Sequence, residues 1–147
     1  MHAEQFAEEF PVVTADSNAL EAARTMAEHR LPGIVVTDAS GQPYAVLPAS
    51  QVVRFIVPTY VQDDPSLAGV IDESWADKAA ERLANKSVRD VLPEHLEDIP
   101  FANADDTIIE VAALMARLRS PLIAVVKDGK LLGMITASRL LSAAVKR

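Results

Sequence analysis

The stretch GMITASRLL, residues 133 to 141, sets Thr136, Ser138 and Arg139 close together where an apolar strand pattern gives way to a helical one. A helix that starts here exposes unpaired backbone N–H groups and a partial positive charge, an environment that favours an anion. Arg139 would add a charge-assisted contact to a phosphate. A plainer reading uses the same residues: Thr136 or Ser138 is an ordinary N-cap, and Arg139 pairs with an acidic neighbour across a cleft or faces water. Both readings stand on the sequence.

No other stretch offers comparable chemistry. His2, His29 and His95 are scattered, and none lies at ligand spacing from another histidine or a carboxylate pair, so no metal site is expected. The chain has no cysteine, which removes disulfides, thiol nucleophiles and thiolate metal sites and fits a reducing compartment. The serines lack the setting of an activated nucleophile. A non-catalytic protein is expected.

The elements that would position Thr136 and Arg139 come from a duplication. TADSNALEAARTMAEHRLPGIVV, from Thr14, aligns without gaps with NADDTIIEVAALMARLRSPLIAV, from Asn103. Ala15 falls on Ala104, Asp16 on Asp105, Glu21 on Glu110, Met26 on Met115, Arg30 on Arg119 and Pro32 on Pro121. Past one extra residue in the TDASGQP turn, Gly41 falls on Gly129 and Ser50 on Ser138. Each copy reads alike. FPVV and IPFA are entry strands, and Asn18 with Glu21, like Thr107 with Glu110, has the spacing of a capping box that opens a helix. Apolar residues at helical spacing follow, closed by Pro32 or Pro121. GIVVTD and LIAVVK read as buried strands, SGQP and KDGK as turns, and YAVL and LGMI as second strands. QVVRFIV, stopped by Pro58, and RLLSAAV are the final helices.

The order is therefore β-α-β-β-α, twice, an α/β fold. A unit of about 45 residues buries too little apolar surface to stand alone, so the copies should pack together about a pseudo-twofold axis. The expected division is residues 1–58 for the first repeat with its N-terminal segment, 59–86 for a helical insert containing Trp75, and 87–147 for the second repeat. SVRDVLP reads as a short helical lead-in to that second repeat.

The formal net charge of −7 over 147 residues disfavours nucleic acid as a partner. The acidic start MHAEQFAEEF lacks the pattern of a secretory signal, and no apolar run approaches the roughly 18 to 20 residues that cross a bilayer. A cytoplasmic location is expected.

With DVLP leading in, ADDTIIEVAALM as first helix, PLIAVVKDGKLLGMIT as paired strands and ASRLL as last helix, the tandem repeat resembles a pair of cystathionine β-synthase (CBS) domains, a Bateman module. The resemblance covers the chain apart from the insert and the first few residues. It implies a disc-like module with two clefts that bind adenosyl ligands (ATP, ADP, AMP or S-adenosylmethionine) in many members. It also implies a regulatory role on a partner enzyme or transporter in trans, and a homodimer formed through helices. No cofactor is required. Candidate ligand contacts are Gly133, Thr136, Ser138 and Arg139, with Asn103 and Pro121. In ligand-binding members the junction reads Gly-x-x-Thr/Ser-x-x-Asp, where the Asp accepts hydrogen bonds from ribose. Here Arg139 stands in place of that Asp, and the first repeat has Ala45, Pro48 and Gln51 for the Gly, Thr and Asp. The alternative expectation is a ligand-free scaffold with degenerate sites.

Overall fold

A computed structural model describes residues 1–70, 74–93 and 101–145. His95 and the first two residues of the IPFA stretch lie outside the described residues. The first repeat runs β1 (Val12–Thr14), α1 (Ala19–Glu28), β2 (Gly33–Thr37), β3 (Pro43–Pro48) and α2 (Ala49–Ile56). The insert contributes α3 (Thr59–Asp63) and α4 (Trp75–Ala84), and the lead-in forms α5 (Val88–Val91). The second repeat is β4 (Phe101–Asn103), α6 (Ile108–Leu118), β5 (Leu122–Lys127), β6 (Lys130–Thr136) and α7 (Ala137–Val145).

In each repeat the first two strands pair in parallel and the last two antiparallel, giving sheets ordered β1-β2-β3 and β4-β5-β6. Both sheets carry a register shift at the same place, between Val36 and Thr37 and between Val125 and Val126. The apolar runs are continuous because each sheet is covered on both faces. Along β2 and β3, Ile34, Val36 and Leu47 pack with the helices of their own repeat, while Val35 and Val46 meet Leu122, Ala124 and Met134 of the other sheet. In the second repeat Ile123, Val125 and Ile135 face α6 and α7. Successive strand residues point to opposite faces, so one strand serves both layers. The two hairpin turns also meet, Gln42 Nε2 donating to the Gly129 carbonyl.

The helix starts follow the capping pattern, with one difference. Thr107 and Glu110 form the full reciprocal box, whereas Asn18 accepts the Glu21 N–H at 3.1 Å and the Glu21 carboxylate pairs with Arg24 at 2.8 Å. Helix ends differ from the expectation that the prolines close them. The chain leaves α1 and α6 through Arg30 and Arg119, both left-handed at φ 52°, and Leu31 N–H then bonds Met26 O at 2.9 Å, as Ser120 N–H bonds Met115 O at 3.3 Å. This is the wrapped-back bond of a Schellman-type ending. Pro32 and Pro121 come afterwards and direct the chain into β2 and β5.

The segments that lead into the repeats are exchanged. Ala3 N–H bonds Asp106 O (2.8 Å), Glu4 N–H bonds Ala104 O (3.0 Å), and Glu8 exchanges two backbone bonds with Met134 (2.9 and 2.8 Å), so the chain's start lies on the second repeat. Val88 N–H and Arg89 N–H bond Ser17 O and Ala15 O at 2.8 and 2.9 Å, so the lead-in to the second repeat lies on the first. Val88, Val91 and Leu92 complete the first core, and Ala3 completes the second. The insert also packs on the first repeat. Leu83 of α4 enters its core, Asn18 Nδ2 donates to Ala84 O at 2.9 Å, and the Arg82 guanidinium lies 4.8 Å from the Phe55 ring centre.

Candidate functional site

Strand β6 ends on Thr136 and α7 begins on the next residue. The Thr136 hydroxyl accepts the Arg139 N–H at 3.1 Å, and the Ala137 N–H bonds the Pro121 carbonyl at 3.1 Å. Thr136 therefore caps α7. A hydroxyl that accepts one bond still has its own proton and a second lone pair, so capping leaves it able to meet a ligand.

This junction forms one wall of a cleft of about 340 Å³, lined by Thr136, Ser138 and Arg139. The opposite wall is the end of α1 and the turn after it, His29 to Pro32, from the first repeat, and the exchanged N-terminal segment contributes Glu8 and Phe10. The volume is near the lower bound of the roughly 300 to 1,000 Å³ typical of small-molecule pockets. In a chain of net charge −7, the cleft gathers two arginines and a histidine against one carboxylate. Arg139 is half exposed and is held from the N-terminal side: its Nε is 3.8 Å from Glu8 Oε1, and its guanidinium carbon is 5.2 Å from the centre of the Phe6 ring.

The six sequence candidates do not converge. Thr136, Ser138 and Arg139 share the cleft. Gly133 is buried on β6, where the backbone of Glu8 crosses it so closely that an added Cβ would stand 2.7 Å from the Glu8 carbonyl oxygen. Asn103 lies in a separate depression of about 350 Å³ with Glu4, Asp105 and Lys127. Pro121 sits at the junction of the repeats, its Cγ 3.4 Å from where a Cβ on Gly33 would be. In the first repeat Pro48 caps α2 without a side-chain hydrogen bond, and Gln51 Nε2 donates to the Val91 carbonyl at 3.1 Å, so that position ties down the exchanged lead-in.

Glu8, Phe10, His29 and Arg30 have no local pattern that ties them to Thr136: the exchanged N-terminal segment brings Glu8 and Phe10 to it, and the packing of the two repeats brings His29 and Arg30. The matched pair Arg30 and Arg119 was the available signal, since a duplicated arginine beside a duplicated proline marks the same turn twice. At the other end of the sheets, Arg89 pairs with Asp16 at 2.5 Å and Lys127 with Glu4 at 2.9 Å. Each hydrogen-bonded carboxylate raises the pKa of its cation. Each pair joins an exchanged lead-in to the repeat that receives it. Among the described residues no group of three or more His, Asp or Glu is placed to hold a metal ion, and no helix is long and apolar enough to cross a membrane.

The CBS domain family model matches residues 4–58 and 88–146, one match for each repeat. The chain belongs to the CBS domain family. A CBS domain-containing protein of unknown function from Kribbella flavida is 60% identical, covers 99% of both chains and superposes with a TM-score of 0.84. The CBS domain pair/ACT domain protein of Thermotoga maritima is 18% identical over 99% of this chain and 98% of its own, with a TM-score of 0.67. CBSX2, whose structure is a complex with AMP, is 19% identical over 99% of this chain and 96% of its own, with a TM-score of 0.66. A comparison with curated proteins returns no match. The tandem CBS pair accounts for the duplicated sheets.

Proposed function

We propose that this CBS pair is a regulatory module that senses an adenine nucleotide in the cleft between its repeats and acts in trans on a partner enzyme or transporter in the cytoplasm. One observation carries the reading: the start of α7, with Thr136, Ser138 and Arg139, faces His29 and Arg30 of the other repeat across a cleft of ligand size. A helix start, a hydroxyl and cations from two repeats together suit a phosphate group. That CBSX2 is a complex with AMP supports an adenine nucleotide as the ligand class. Arg139 brings charge and no acceptor, so ATP or ADP should bind more tightly than AMP or S-adenosylmethionine.

Calorimetric titration tests this. ATP should bind the wild type, and Arg139→Ala should weaken it by about 10-fold to 100-fold, the range for a lost hydrogen bond to a charged group. Thr136→Ala should weaken it less. ATP binding unchanged in both variants would put the ligand elsewhere. No adenine nucleotide bound by the wild type would favour the scaffold reading, which Gln51, engaged with Val91 in the first repeat, supports.

The module assembles as a twofold homodimer through its helices. Val53 on α2 and Leu141 on α7 hold equivalent positions in the two repeats, and both are apolar and exposed, at 54% and 62%. Beside Val53, an apolar groove of about 320 Å³ between α1 and α2 is lined by Ala23, Met26, Ala27, Leu31 and Val52. Light scattering at micromolar concentration should give twice the chain mass of 15.8 kDa. A value at the chain mass itself would remove the dimer.

A further inference from the structure

We propose that Glu8 is a built-in anion of the cleft, which competes with a ligand's phosphate for Arg139 and thereby sets how tightly the cleft holds negative charge. The inference rests on the nucleotide reading above and assigns a specificity-determining residue to the same site. It stands on how the N-terminal segment is fixed. Glu8 is not on a loose tail: its N–H donates to Met134 O at 2.9 Å and its carbonyl accepts the Met134 N–H at 2.8 Å, an added strand contact on the edge of β6. Gly133 lets that backbone come close, since a side chain there would meet the Glu8 carbonyl at 2.7 Å. Two residues away, Phe6 packs its ring against the same guanidinium, 5.2 Å from centre to carbon. Arg139 is thus contacted on the N-terminal side by a carboxylate and a ring, both supplied by one exchanged segment.

Glu8 is the one carboxylate among the residues lining the cleft, facing His29, Arg30 and Arg139. Its side chain is 47% exposed and Arg139 44%, and their closest approach is 3.8 Å, so the pair can open without unfolding anything. An arriving phosphate must then share Arg139 with the carboxylate and tolerate its charge nearby. A charge at about 5 Å acting through water-like screening changes the affinity for each unit of ligand charge by about fourfold. The penalty therefore grows from a monophosphate to a polyphosphate and shrinks in salt.

The test is isothermal titration of inorganic pyrophosphate and of ATP into the wild type, Glu8→Gln, Arg139→Ala and the double variant, at low and high salt. Thermal melts run alongside to verify that each variant is folded. Glu8→Gln should bind pyrophosphate, which carries two to three negative charges near neutral pH, about 16-fold to 60-fold more tightly at low salt, with a smaller gain at high salt. In the Arg139→Ala background the gain should shrink to the part that direct repulsion between Glu8 and the phosphate supplies, since the rest belongs to the coupled pair. Equal pyrophosphate affinity of wild type and Glu8→Gln, no binding to either, or a gain that persists in full without Arg139, overturns the competition. The nucleotide reading fails separately. A wild type that refuses ATP while Glu8→Gln gains pyrophosphate keeps the built-in anion and removes the sensor, and a wild type that binds ATP with no effect of Glu8→Gln does the reverse.

Discussion

Met115→Asp should lower the melting temperature by about 10 °C or more and shift the urea midpoint to match. Met115 lies on the inward face of α6, 9% exposed, in the core that Val111, Ile123, Val125 and Ile135 form with Ala3 from the exchanged N-terminal segment. Replacing it removes the burial of a methionine side chain, about 1.5 to 3 kcal/mol. It also puts a carboxylate among aliphatic groups with no partner, so that the group must be desolvated or take up a proton. The sum is several kcal/mol against a typical domain stability of about 5 to 15 kcal/mol. For a chain of this size each kcal/mol moves the midpoint by about 2 to 4 °C. Met115→Leu keeps the volume and should cost under about 1.5 kcal/mol, which separates the charge from the shape. A Met115→Asp protein melting within a degree or two of wild type would mean that the core is not organised around this face. Met26, the matching residue of α1, is 4% exposed and should respond in the same direction.

Met26 and Met115 also show what a linear sequence exposes of this fold. Their register follows from apolar spacing within one helix, and the helix starts at Asn18 and Thr107 follow from side chains that reach three residues onward. Such features are local, and they could be read. The order of elements along the chain was legible for a related reason: apolar runs of strand length broken at Gly41 and Gly129, both at positive φ, read as strands joined by tight turns. The exchange of lead-ins was not legible. SVRDVLP precedes the second repeat in the chain, but its valines are indifferent to which core receives them, and what places them is backbone pairing with Ala15 and Ser17, about 70 residues away. Half of the cleft was hidden by the same step. Thr136 and Arg139 stand out through their spacing, whereas Glu8 and His29 have no local pattern and acquire meaning only once the two repeats are packed. Gly133 holds the first place of a ligand motif, and its steric surroundings supply a separate reason for a glycine.

That reason predicts that Gly133→Ala releases the chain's first residues. The position is not one of unusual backbone twist. Its demand is space, because a Cβ there would stand 2.7 Å from the Glu8 carbonyl oxygen, 3.0 Å from the Glu8 carbonyl carbon and 3.3 Å from Ala7 Cβ. Two of these atoms are backbone and cannot rotate away, so the N-terminal segment must move off β6. The reciprocal bonds between Glu8 and Met134 are then stretched or lost, and the pairing of Glu8 with Arg139 goes with them. An overpacked core site costs about 1 to 3 kcal/mol, and each of the two lost hydrogen bonds adds about 0.5 to 1.5 kcal/mol, so a fall in stability of about 2 to 6 kcal/mol is expected. The loss should be local in character. Hydrogen exchange should rise most at the amides of Glu8 and Met134, then at Ala3 and Glu4, whose partners are Asp106 and Ala104, while the centre of the first repeat at Ile34 to Val36 stays protected until the whole chain opens. A Gly133→Ala protein with wild-type exchange at Glu8 and an unchanged melting temperature would show that the segment does not cross β6 at this distance. The first repeat offers an internal comparison, because Ala45 stands at the equivalent place and is buried with its methyl group in the core. Ala45→Gly should therefore relieve no contact; it should cost about 0.5 to 1 kcal/mol or more through lost packing and the added freedom of the unfolded chain, a loss rather than a gain.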